Sequence, residues 1–161
     1  IALISDAGTP GISDPGYLLV KAAREAGVQV SPVPGPSAFL AAVSASGLRI
    51  NHLLYLGFLP MKKGRQTMLK KLQEEENTMV FYESPHRLLK TLKELQTYFA
   101  DRKLVVAREI TKIYEEFREG TAEELYQHFS QKNPKGEFVI MIEGKEKRHH
   151  GEEREEVEDQ D

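Results

Sequence analysis

The chain contains no cysteine. Disulfides and thiolate metal sites, the cysteine type of structural zinc included, are therefore excluded. No apolar run approaches the ~20 residues needed to cross a bilayer, and no basic-then-apolar leader opens the sequence, so a cytoplasmic protein without membrane contact is expected. A regular nucleotide fingerprint is absent as well: neither G-x-G-x-x-G nor a Walker A lysine follows the first apolar run. There is no initiator methionine, and Ile1 already lies within an apolar stretch, so upstream strands of the same sheet are expected to be missing.

What is present fits a globular chain of 161 residues, 40% hydrophobic and 29% charged, long enough for one or two small domains. The net charge of −3 misleads, because Lys145–Asp161 carries four basic and eight acidic side chains, leaving +1 for residues 1–144. With Val157 as its one apolar residue, that tail cannot offset the entropy of ordering by burial, and it is expected to be disordered. The adjacent His149 and His150 within it lack converging partners and read as solvated, so no metal site is expected.

Strand-like and helix-like segments alternate along the rest. Ile1–Ile4 reads as a strand, residues 16–26 as a helix stopped by Gly27, and Val28–Val33 as a second strand. Pro34-Gly35-Pro36-Ser37 breaks that strand, with Ser37 placed to cap a small-residue helix over 38–46. A composition shift at 48–52 marks a domain boundary. Beyond it the reading is strand 53–59, helix 65–76, strand 78–82, a helix opened by Ser84-Pro85, strands 103–107 and 113–119, a capping-box helix from Thr121 to about 131, and strand 138–142. Leu88, Leu92, Leu95 and Phe99 form one buried stripe of the longest helix. Two neighbouring strands without a helix between them predict an antiparallel pair, and hence a mixed sheet.

Four segments are rich in chemistry. Ser5–Gly16, SDAGTPGISDPG, lies where a strand end meets a helix; its glycines and free N–H groups suit close approach of a ligand, or they only supply turn geometry. VPGPSA at 33–38 brings unpaired N–H groups to a helix start, or serves as an ordinary connection capped by Ser37. In FYESPHR (81–87), Glu83, His86 and Arg87 crowd a strand end, where the helix dipole disfavours a cation unless an anionic ligand or an ion pair with Glu83 holds it. In the stretch 107–116, Arg108, Glu109 and Lys112 form either a solvated hairpin or, with Lys62, Lys63 and Arg65, a basic surface for phosphates.

Taken in order, SDAGTPGISDPG, VPGPSA, FYESPHR, AREITK (107–112) and GEFVIMIEG (136–144) resemble the tetrapyrrole methylase superfamily, and within it the bacterial ribosomal RNA small subunit methyltransferase I family. The resemblance implies an α/β fold of two domains with S-adenosylmethionine in the cleft between them. Residues 1–52 would be the C-terminal part of an incomplete first domain, 53–145 a second domain with a mixed sheet flanked by helices, and 146–161 the acidic tail. It also implies a homodimer that methylates the ribose 2′-OH of a cytidine in 16S rRNA of the small subunit. By motif position, Asp6, Ala7, Gly8, Thr9, Pro10, Ser37, Ala38 and Tyr82 would bind the cofactor. Glu83, His86 and Glu109 are candidate bases, and Arg87, Arg108 and Lys112 candidate RNA contacts. The glycine-rich opening strand and loop typical of the family are absent. Two other readings stay open: a precorrin-type methyltransferase, which would show an apolar trough, and a non-catalytic binding or dimerisation module.

Overall fold

Alternating apolar segments at 53–142 fold into a five-stranded mixed sheet, seen in a computed structural model that describes residues 1–146. The elements in chain order are α1 (Tyr17–Glu25), α2 (Ala38–Ser44), β1 (Leu53–Phe58), α3 (Arg65–Leu72), β2 (Thr78–Glu83), α4 (Pro85–Tyr98), β3 (Leu104–Arg108), β4 (Glu116–Gly120), α5 (Ala122–Ser130) and β5 (Phe138–Ile142). From residue 53 onward the order is the one the sequence predicts. The paired histidines and residues 147–161 of the acidic tail lie outside the described residues.

The strands lie in the order β1-β2-β5-β3-β4, with β1 and β2 parallel and every other pair antiparallel. The expected antiparallel neighbours are β3 and β4, joined by a hairpin that sets Arg108 opposite Glu116. This topology gathers the carboxyl ends of β1, β2 and β3 with the starts of β4 and β5. Phe138 consequently sits opposite both Glu83 and Arg108. All five motifs of the sequence contribute residues at or beside this one end of the sheet.

Side chains alternate across the sheet, so each strand feeds two cores. Met79, Phe81, Val106 and Ile140 face α3, α4 and α5, where the Leu88, Leu92, Leu95 and Phe99 stripe is at most 2% exposed. Each such leucine contributes roughly 1.5–3 kcal/mol relative to an exposed one. Val80, Val105, Val139 and Met141 face the other way, against Ala42 and Val43 of α2. The Thr121 capping box forms: Thr121 Oγ1 accepts from Glu124 N, and the Glu124 carboxylate accepts from Thr121 N.

Three expectations are corrected. Residues 1–4 and 28–33 are not strands; among the described residues no strand lies beside them, and Ile1, Ile4 and Val33 are exposed. α3 stops at Leu72, because the three glutamates that follow carry the charge disfavoured at a helix C-terminus. Arg102 instead takes the carbonyls of Gln73 and Glu75. β4 begins at Glu116, leaving Ile113 and Tyr114 in the hairpin turn, 95% and 71% exposed.

Candidate functional site

The first loop is tied both to the second loop and to the sheet. Ser5 Oγ donates to the carbonyls of Ala7 and Gly8, curling the turn on itself. Thr9 Oγ1 donates to Pro36 O at 2.9 Å, joining residues 5–16 to residues 33–38. Ser13 shares a 2.5 Å hydrogen bond with the Tyr55 phenol on β1. Beside it Gly57 has φ +62, where β1 bulges between Tyr55 and Phe58, and a Cβ there would stand 3.3 Å from Ser13 Oγ. Glycine is what lets the loop lie on the strand.

Ser37 occupies the N-cap position of α2 but does not cap it. The helix N–H of Phe39 is taken by the Tyr82 hydroxyl at 3.2 Å, from across the cleft. Burial pushes the Tyr82 phenol up, and the bond from the Phe39 amide tempers that shift. The Ser37 hydroxyl lies near enough to Tyr82 to influence it, yet it is buried without a hydrogen bond of good geometry. An orphaned hydroxyl of this kind costs roughly 1–3 kcal/mol unless a ligand satisfies it. The surrounding wall is aromatic: Phe39 stacks on Tyr55 at 4.4 Å, and Tyr82 meets Tyr55 edge-on at 5.9 Å and Phe58 at 5.5 Å.

Between these parts opens a cleft of about 350 Å³, the low end of the roughly 300–1,000 Å³ typical of small-molecule sites. Of the residues singled out from sequence, Ala7, Gly8, Thr9, Ser37, Ala38, Tyr82 and Glu83 line it. Asp6, Pro10, His86, Arg87, Glu109, Arg108 and Lys112 are not in its wall. Its wall also takes in Ile12, Ser13 and Asp14 of the first loop, Ile110 of AREITK, the run Gly136–Val139 of the last motif, and Phe58, which lies outside every motif.

The charged candidates are mutually engaged. Glu83 is buried, its carboxylate accepting from Ser84 N at 2.8 Å, Thr91 Oγ1 at 2.7 Å and Arg87 Nε at 2.7 Å. Arg65, expected on a basic surface, is buried as well and bonds Glu94 and Thr91, both at 2.7 Å. Arg108 bonds Lys135 O and faces Glu116, while Lys112 holds Glu109 and Glu137. The Lys112 ammonium, helped by the Glu137 amide, keeps the Glu109 carboxyl below its ordinary range. Glu109 itself has φ +48, and its side chain packs where Gly136 leaves room, fastening the hairpin to the start of β5. His86 is exposed and has no partner among the described residues. Among those residues, too, no three His, Asp or Glu side chains converge as a metal site would require, and no helix is long and apolar enough to cross a membrane.

The family model of the Tetrapyrrole (Corrin/Porphyrin) Methylases matches residues 1–126. Proteins named Ribosomal RNA small subunit methyltransferase I are similar over most of the chain. That of Synechocystis sp. is 50% identical over 146 residues, covering 89% of this chain and 52% of that protein. That of Thermotoga maritima is 45% identical over 146 residues, covering 91% and 66%. That of Escherichia coli O157:H7 is 47% identical over 148 residues, covering 89% and 52%. The chain thus spans between about half and two thirds of the length of these relatives. Among solved structures, the methyltransferase CobJ superposes with a TM-score of 0.60 at 21% identity, covering 89% of this chain and 64% of that one. The cobalt precorrin-4 methyltransferase CbiF gives 0.58 at 17%, covering 79% and 57%; both likenesses concern the fold. With the profile match, the five ordered motifs and this architecture in agreement, the chain belongs to the tetrapyrrole methylase family.

Proposed function

We propose that the protein is an S-adenosylmethionine-dependent methyltransferase that modifies the ribose 2′-OH of a cytidine in 16S rRNA, working as a homodimer on the small ribosomal subunit. The observation that carries this reading is the buried, unpartnered Ser37 hydroxyl in a cleft walled by two tethered loops and an aromatic cluster. The names of the 45–50% identical relatives support the substrate class.

The residues present fit the methyl donor. Ala7, Gly8 and Ala38 allow close approach, Ser37 offers an unsatisfied hydroxyl, and Tyr82 supplies apolar surface with a polar edge. When bound, the donor supplies a sulfonium methyl for in-line attack: the ribose oxygen forms the C–O bond as the C–S bond breaks, and S-adenosylhomocysteine leaves as a neutral thioether. Phe138 and Val139, buried in the wall, keep water from that side of the reacting atoms. Holding the two reactants in line supplies most of the rate, since the leaving group needs no proton. Of the candidate bases, Glu83 is committed to Arg87 and Thr91, and Glu109 to Lys112. His86 adjoins Pro85 of the wall and is free, so it is assigned the hydroxyl proton.

The test uses small subunits isolated from a strain lacking the protein, the full-length enzyme and S-adenosylmethionine labelled in its methyl group. Label on a single ribose of 16S rRNA supports the proposal, and a His86→Ala variant should slow single-turnover transfer by roughly 100-fold or more. Label on a nucleobase, or on an added tetrapyrrole precursor instead of RNA, would refute it.

A further inference from the structure

Of the cations that the sequence pointed to, Arg65, Arg87, Arg108 and Lys112 are neutralised in the fold, but Lys62 and Lys63 of the β1–α3 loop are not. Arg87, Arg108 and Lys112 each face a carboxylate, whereas Lys62 and Lys63 are exposed and have no ion-pair partner among the described residues. The same loop carries Met61, 71% exposed, and follows Phe58, 53% exposed at the mouth of the cleft. An apolar ring left in water beside two free ammonium groups is the composition of a single-stranded nucleic-acid platform: bases stack on the ring, and the cations follow the phosphates.

The loop is also held rigid from below. Arg87 Nη1 donates to Leu59 O at 3.3 Å and Arg65 Nη1 to Pro60 O at 3.0 Å, so two guanidinium groups grip consecutive carbonyls. Arg65 is fixed in turn by Glu94 and Thr91, and Thr91 and Arg87 by the buried Glu83. The Gly57 bulge shifts the register of β1, and the residue that follows it, Phe58, is the exposed one of the strand. A platform fixed before its ligand arrives loses little conformational freedom on binding.

We propose that the β1–α3 loop is the RNA clamp of this protein, with Phe58 stacking a nucleobase at the cleft mouth and Lys62 and Lys63 holding the adjoining phosphates; the inference rests on the rRNA methyltransferase reading given above. The probe is protein-free small-subunit rRNA, bound to the full-length protein over a series of KCl concentrations. The double variant Lys62→Ala with Lys63→Ala should lower the slope of log K against log salt by about 1.4, two single-strand phosphate contacts. Phe58→Ala should weaken binding by roughly 5- to 150-fold with the slope unchanged, and Phe58→Trp should restore it. Where Phe58→Ala does not fold, the lysine variant decides. Wild-type slope and affinity in the lysine variant overturn the clamp, as does weakened binding to intact subunits but not to naked rRNA, which would move the contact to a subunit protein. Calorimetry with S-adenosylmethionine separates the two ideas: a wild type that holds RNA through this loop but binds no methyl donor sinks the enzymatic reading and leaves the clamp standing.

Discussion

Replacing Glu83 by glutamine decides whether that carboxylate does chemistry or holds the fold. Its side chain is fully buried, and one oxygen accepts from Ser84 N and Arg87 Nε while the other accepts from Thr91 Oγ1, with Arg65 Nη2 at 4.0 Å. Glutamine keeps the shape and can set its oxygen on Ser84 N and Arg87 Nε with its NH2 toward Thr91 Oγ1, which can accept, but the negative charge shared by two guanidinium groups is gone. Breaking a buried pair from one side costs about 3–5 kcal/mol. The lower end applies, because the Arg87 side chain is 22% exposed and regains water, and Arg65 keeps Glu94. With a urea dependence of about 2 kcal/mol per molar, a loss of about 3 kcal/mol moves the unfolding midpoint down by about 1.5 M. Thr91→Val in the same background should cost less than the sum of the two changes, by on the order of 1 kcal/mol, because both act on one network. The measurements are urea unfolding and single-turnover methyl transfer on the full-length protein. A Glu83→Gln protein with an unmoved midpoint and abolished transfer would refute the structural account and return Glu83 to the reacting centre.

Ser37→Ala should raise the stability of the ligand-free protein by about 1 kcal/mol, since it removes a buried hydroxyl that has no partner to lose, and should weaken methyl-donor binding about tenfold by calorimetry; a loss of stability without a loss of affinity contradicts the assignment. Tyr82→Phe leaves the Phe39 amide without its acceptor and should cost about 1 kcal/mol in thermal unfolding, with no change meaning that water replaces the phenol freely. The hairpin should loosen in acid. For Glu109 the Lys112 ammonium holds the folded pKa below the ordinary 4.5, and for Glu116 burial is outweighed by Arg118 and His128 to the same effect. Both carboxylates therefore favour the folded hairpin above that value and stop doing so as pH falls through their lower folded values. Amide exchange at Glu109 and Glu137 reads this directly, after correction for intrinsic rates, and protection that grew with acidification would contradict it.

Much of the second half of the chain is legible because its periodicities are local. The Leu88, Leu92, Leu95, Phe99 spacing, the Ser84-Pro85 start and the Thr121–Glu124 box each specify their element within one or two turns, and all three are present. Residues 1–4 and 28–33 carry the same apolar signal without becoming strands, because a strand exists through the neighbour it bonds and composition does not reveal that neighbour. The site divides along the same line. Gly8, Thr9, Ser37 and Tyr82 are marked by the motifs that the family resemblance rests on, and they line the cleft. Phe58 was passed over as one more apolar residue of a strand, since its exposure follows a bulge at Gly57 that is visible only as a register shift. Which cations are free is equally hidden: Arg65 stands three residues from Lys62, yet one is 5% exposed and saturated while the other is in water.

That division between held and free cations bears on how RNA would be engaged under the proposed function. Residues 1–144 sum to +1, so no field of one sign surrounds the body and long-range steering is weak. Screening over about 8 Å at physiological salt leaves attraction to the few cations that touch phosphate. Had Arg65 and Arg87 been spent on phosphates as well, the β1–α3 loop would have lost the donors that grip Leu59 and Pro60. Pairing them with Glu83 and Glu94 fixes the loop while neutralising their charge, which lowers non-specific affinity for any polyanion. On the proposed RNA-binding reading, the expected result is a shallow salt dependence, with preference for the target coming from a stacked base and a fixed loop more than from charge.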